Sequence, residues 1–157
     1  MLVRLLLLLS LAAWPASAAD WRPYANARFG YAIELPADFI TTNEADNGDG
    51  ITLRSPDSQT ELRVFGANII DDDFAAEIGG RKAMDGKEGW RISYEKAAPA
   101  WASYSGTRGK LILYVRAVAL CDGAAGYFSF TYPKAQQKRY DPIVSHLVKA
   151  LSAPTHC

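Results

Sequence analysis

The chain has 157 residues, 49% hydrophobic and 22% charged, with 17 basic residues balanced by 17 acidic ones. That size suits one domain able to bury a core without a metal staple. Zero net charge removes the electrostatic case for nucleic acid or an anionic lipid surface as partner.

Residues 1–18 read as a secretory leader. Arg4 supplies the positive start, Leu5 to Leu9 with Leu11, Ala12 and Ala13 form a short apolar run, and Pro15 breaks it. Ala16-Ser17-Ala18 is the small-x-small site that signal peptidase needs, so the mature chain is expected to start at Ala19 or Asp20. The run is too short to span a bilayer, and no later stretch reaches that length. Residues 19–157 are therefore expected to form a single, monomeric α+β domain that works in the periplasm or is fully secreted.

After an initial lead-in, residues 29–35 alternate aromatic and branched side chains and stop at Pro36, which predicts a strand. Asp46-Asn47-Gly48-Asp49-Gly50 is turn chemistry, since these residues tolerate positive φ. Residues 51–55 and 61–68 predict a hairpin across Pro56-Asp57-Ser58. Asp71-Asp72-Asp73 ahead of Phe74-Ala75-Ala76 is an N-cap pattern, predicting a helix towards Met84 that Gly79-Gly80 weakens. Three strands follow at 90–96, 101–105 and 110–120. The last is apolar on both faces and so expected to be central. A seventh strand, 127–132, stops at Pro133. Asp141-Pro142 then reads as the opening of a final helix, with Asp as cap and Pro at the first helical position. Ile143, Val144, Leu147 and Leu151 form its apolar stripe.

Cys121 and Cys157 are the two cysteines, and an exported chain meets an oxidising compartment where such a pair is expected to close a disulfide. The bridge would contribute roughly 4 kcal/mol on the chain-entropy estimate. A final helix returning along the seventh strand would bring Cys157 beside the turn that carries Cys121. A redox or copper-binding pair, with His156 adjacent, is the competing reading, but the C-x-x-C spacing is absent.

Tyr24-x-Asn26-x-Arg28-Phe29-Gly30-Tyr31 runs into Leu35-Pro36-x-x-Phe39. Asn47-Gly48-Asp49-Gly50 with Leu53-x-Ser55, then Tyr104-Ser105-Gly106, then Phe130-x-Tyr132-Pro133 before an amphipathic helix complete the series. In this order they resemble the PsbP-like fold superfamily, and within it a branch of small secreted bacterial proteins. The resemblance covers nearly all of residues 19–157. It implies a mainly antiparallel sheet of six to seven strands sandwiched by helices, with the C-terminal helix packed on the sheet. The better-understood relatives are an extrinsic photosystem II subunit and a Ran-GTPase-binding protein, so it also implies an accessory role without catalysis. No partner-binding residues of those relatives fall on matching positions here, and fold alone does not transfer function.

Catalytic patterns are sparse. His146 lies near the flank of the helical stripe, where a packed or partly exposed helix histidine is the simplest reading, and His156 is in the tail. There is no H-E-x-x-H, nucleophile elbow, P-loop or dinucleotide fingerprint. Asp46 and Asp49 suggest calcium, but an EF-hand register puts Ala45 at position one and Pro56 at position twelve. Asp71, Asp72 and Asp73 read more simply as a cap. Trp90, Tyr94, Trp101, Tyr104 and Tyr114 lie on adjacent predicted strands, either lining a sugar- or peptide-binding face or packing beneath the helices. Arg54, Arg63, Arg91 and Arg116 alternate with apolar residues, which suggests solvated strand faces or edges.

The expected function is that of an exported, non-catalytic accessory or binding protein of the cell envelope, with no cofactor. Its partner is an envelope protein or a small molecule. Two alternatives stand beside it: a small-ligand or divalent-ion binder using the aromatics or acidic loops, and a small envelope hydrolase.

Overall fold

The computed structural model describes residues 20–70 and 73–156. The expected leader, Asp71, Asp72 and Cys157 lie outside the described residues. The elements are β1 (Trp21–Ala25), β2 (Ala32–Pro36), β3 (Ile40–Glu44), β4 (Gly50–Arg54), β5 (Glu61–Asn68), α1 (Phe74–Lys87), β6 (Arg91–Ala98), β7 (Trp101–Arg108), β8 (Leu111–Ala119), β9 (Ala124–Pro133) and α2 (Gln137–Ala150). Seven strands form one antiparallel sheet in the order β3-β4-β5-β9-β8-β7-β6, and β1 pairs with β2 in a separate ribbon. The sheet is sandwiched by helices, as the α+β expectation required.

The period-two pattern decides which side chains go where. On one face, Leu62 and Val64 of β5, Ile112 and Val118 of β8, and Phe128, Phe130 and Tyr132 of β9 share a core with Val144 and Leu147 of α2 and with Tyr31, Ile33 and Leu35 around the ribbon. Fully burying one such aliphatic or aromatic side chain contributes about 1.5–3 kcal/mol. On the other face, Leu113, Val115 and Ala117 of β8 and Tyr127 of β9 pack with Ile78 of α1. β8 thus buries side chains on both faces, as its unbroken apolar run predicts. A Cβ at Gly66 would stand 2.4 Å from Cγ of Phe29, so only glycine lets Phe29 seat on β5.

Local chemistry explains the start of α1. The Asp73 carboxylate accepts from the Ala76 amide at 2.8 Å and caps α1 as expected. α1 then runs through Gly79-Gly80 to Lys87, because tertiary packing outweighs a glycine penalty of about 1 kcal/mol per residue.

Three expectations need correction. β1 forms where a lead-in was expected; its Pro23 is tolerated because the ribbon has only two strands. β3, at the outer edge of the sheet, is exposed throughout, so no apolar alternation announces it. α2 starts at Gln137, not at Asp141, and carries Pro142 inside it. Tyr140 supplies the reason: fully buried, its ring packs 5.4 Å from Phe130 and 5.3 Å from Tyr132, centroid to centroid. That aromatic anchor draws the preceding turn into the helix, and the proline forfeits one backbone hydrogen bond.

The chain beyond α2 folds back on the ribbon, where Ala32 and Ser152 exchange backbone hydrogen bonds of 3.1 and 2.9 Å. Cys121 Sγ stands 3.8 Å from the carbonyl oxygen of His156, the residue before Cys157. The return of the last helix towards the turn before β9 is therefore as anticipated.

Candidate functional site

α2 and the ribbon cover the β5–β9 half of their face but leave the β6–β8 half partly open. The result is a groove of about 720 Å³ between α2 and those strands. Ser105 and Thr107 of β7, Ile112 and Tyr114 of β8, and Ser93 and Tyr94 of β6 line the sheet side. Asp141, Val144, Ser145, Val148 and Lys149 form the helix side, with Lys134 at one end.

A β-bulge shapes the floor. Ile92 pairs with Gly106 and Tyr94 with Ser105, so Ser93 is an extra residue on β6. Trp90 and Ile92 pack towards α1. The bulge reverses the alternation, and Tyr94 emerges on the α2 face, where its ring lies 6.4 Å from Tyr114. Tyr114 in turn lies 6.1 Å from Phe128, with interplanar angles of 27° and 16° along this row. A Cβ at Gly106 would meet the Arg91 carbonyl oxygen at 2.5 Å, so glycine is required opposite the bulge.

One register position beyond Tyr114, on the same face, stands Arg116, paired with Ser103. Its guanidinium lies 4.2 Å over the Trp101 ring, and Nη1 donates to Ser103 Oγ at 3.1 Å. Nε is buried without a hydrogen-bond partner. Burial pushes the group down from its ordinary value, opposed by the nearby Tyr114 and Tyr94. The expectation of a solvated Arg116 is thus corrected: an aromatic bed holds it half-buried. Burial also pushes the Tyr132 hydroxyl up to about 12, with Asp141 and Tyr114 acting in the same direction.

The five aromatics singled out from sequence do not share one face. Tyr94, Tyr114 and Trp101 are on the α2 side, while Trp90 and Tyr104 are buried on the α1 side. Tyr104 donates to Asp85 Oδ2 at 2.7 Å, and burial raises both groups' pKa values. Beside them the buried Glu77 receives Arg81 Nε at 2.7 Å and the Tyr127 hydroxyl at 3.2 Å. Arg81 also lies 4.1 Å over the Tyr127 ring.

Of the acidic candidates, Asp49 and Asp73 have structural occupations. Asp49 Oδ1 lies 2.9 Å from Arg28 Nη1, and its Oδ2 accepts from Asn47 at 2.7 Å. Asp46 is exposed in the same turn, and Asp73 is the cap already described. His146 faces the ribbon: its ring stacks on Trp21 at 3.6 Å and Nε2 meets Glu34 Oε2 at 2.6 Å. Ser145 lines the groove, but its hydroxyl donates to the Asp141 carbonyl at 2.9 Å, so it is not poised towards His146.

The groove therefore offers aromatic faces, hydroxyls and cations, which is the chemistry of binding. Tyr94 and Tyr114 were legible as candidates. Ser93, Ser105, Thr107 and Lys149 were not, because strand order and the bulge alone bring them together. The alternation of Arg116 with apolar residues was visible, but its neighbours on β7 were not.

No protein-family model matches the chain, and no curated protein does. Solved structures do. The chain is similar to the cyanobacterial PsbP protein (CyanoP) of Synechocystis sp. PCC 6803, with a TM-score of 0.64 at 13% identity over 90% of this chain and 96% of that one. It is also similar to the Saccharomyces cerevisiae Ran-binding protein Mog1p, with a TM-score of 0.61 at 10% identity over 86% of this chain and 96% of that one. At such identities the likeness is one of architecture, and this chain has the PsbP-like fold.

Proposed function

We propose that this protein is an exported accessory or binding protein of the cell envelope, with no catalytic role, which engages its partner in the groove beside α2. The observation that carries the reading is the groove itself: about 720 Å³, within the size range of small-molecule sites, floored by a tyrosine row and rimmed by polar side chains. The engagement of Ser145 with Asp141 and of His146 with Trp21 and Glu34 supports binding over hydrolysis. Similarity to a Ran-binding protein agrees with a binding role and specifies nothing about the partner here. The leader at residues 1–18 supports export, and no described helix is long and apolar enough to cross a membrane. The closeness of Cys121 to His156 supports a Cys121–Cys157 bridge in the exported protein. Free-thiol titration under denaturing, non-reducing conditions should then find no reactive thiol.

The groove reading is tested by placing a photo-crosslinking amino acid at position 94 and irradiating the native envelope fraction. A discrete adduct is expected that disappears when Thr107→Trp fills the groove. Labelling indifferent to the filled groove would refute the reading.

A further inference from the structure

The groove and the strand surface continuous with it carry cations that lack counter-charges. Lys134 and Lys149 line it, and Arg116 lies one register step along β8 and β7 from Tyr114 and Ser105. Lys96 is set opposite Ser103 by the β6–β7 register and so belongs to the same face. Among the described residues, none of these four has a carboxylate within 4.0 Å. Asp141 is the acid in the groove lining. A guanidinium half-buried on Trp101, with one bond to Ser103 and no neutralising partner, is incompletely satisfied by this chain.

Two further features narrow what could satisfy it. Tyr94 is 45% exposed and overlaps Tyr114, presenting ring surface to the opening. Ser93, Ser105 and Thr107 line the same groove with hydroxyls, each able to donate and accept. Aromatic faces pack on the C–H side of a sugar ring, hydroxyls exchange hydrogen bonds with sugar hydroxyls, and a guanidinium takes a carboxylate in paired charge-assisted bonds.

Resting on the binding role proposed above, the geometry points to an acidic saccharide as the ligand. A uronic-acid unit would lie over Tyr94 and Tyr114, with its carboxylate held by Arg116 and by Lys96 across Ser103 on the same face. An acidic peptide would satisfy the cations and the hydroxyls too, but a chain of acidic residues brings no apolar ring face to lie on Tyr94 and Tyr114.

The test titrates the purified mature protein with trigalacturonate, maltotriose and triglutamate, following tryptophan fluorescence and calorimetric heat. Trigalacturonate should bind at least tenfold more tightly than either of the others, an advantage of the size expected from one charge-assisted hydrogen bond. Arg116→Gln should remove that preference, and Tyr94→Ser should weaken both sugars. Equal binding of the two sugars, a preference for triglutamate, no binding of trigalacturonate, or a preference unaffected by Arg116→Gln would overturn the inference. In any of those cases, a groove-dependent adduct at position 94 would still uphold the broader binding role, while its loss would end both.

Discussion

The two faces of the central sheet differ in how the charges beside each helix are held. On the α1 face Glu77 is joined to Arg81 and Tyr127, Asp85 to Tyr104 and Lys82 to Glu95, while Arg63 rests on the Phe65 ring. On the α2 face the core under the helix is almost wholly apolar, and the cations beside it are left unpaired. Paired charge under a helix is a fastening. Unpaired charge beside an open aromatic row is free to take a counterpart, as the proposed binding role requires.

The contrast can be tested by mutation, beginning with the apolar half. Phe130 is fully buried against Phe39, Tyr132 and Tyr140, so Phe130→Ala should lower unfolding free energy by about 3–5 kcal/mol in urea denaturation. A loss below about 1 kcal/mol would mean that this core is not the main support of the fold. Next comes the fastening itself. Glu77→Ala leaves Arg81 without its carboxylate in a largely buried setting and should cost about 2–3 kcal/mol, reduced from the fully buried case because Arg81 keeps some contact with water. Arg116→Gln, which breaks no ion pair, should cost under about 1 kcal/mol. Equal losses at the two positions would erase the distinction between the faces.

A smaller effect concerns pH. Burial raises the Asp85 carboxyl above its unfolded value despite the Tyr104 hydrogen bond. The folded state therefore binds the proton more tightly, and this group's contribution to stability grows as pH falls from the raised value towards the ordinary one. Denaturation curves between pH 3 and 7 should show the parent chain gaining on Asp85→Asn as the solution is acidified. A parent that instead loses ground to Asp85→Asn on acidification would reverse the sign. The smallest change is expected at Tyr140, whose ring is fully buried while its hydroxyl lacks a partner. Tyr140→Phe should be neutral or stabilising by up to about 1 kcal/mol, since removing an unsatisfied hydroxyl relieves a desolvation cost. A clear destabilisation in thermal melts would point to a hydrogen bond that this packing does not supply.

What was legible in the sequence divides along similar lines. Period-two alternation exposed β2, an unbroken apolar run exposed β8, turn and proline signals bounded β4, β5, β6, β7 and β9, and the carboxylate at residue 73 announced α1, because these signals are local. β3 stayed hidden because an exposed edge strand buries nothing to pattern. The start of α2 was misplaced because Asp141-Pro142 is a good local opening, outweighed by the seat of Tyr140 among Phe130 and Tyr132. The groove was half legible. Tyr94 and Tyr114 stood out as aromatics, but the extra residue at Ser93 sends Tyr94 away from Trp90, and a bulge leaves no mark in composition. Arg116 reads as a surface charge until β7 places Trp101 and Ser103 beside it.

The central claim is that the open half of the α2 face is the working surface. Hydrogen exchange of the purified protein, with and without native envelope extract, tests it most directly. The account predicts slowed exchange in segments 91–98 and 137–150 and no change across α1 at 74–87. Protection centred on 74–87, with the groove segments unaltered, would contradict it.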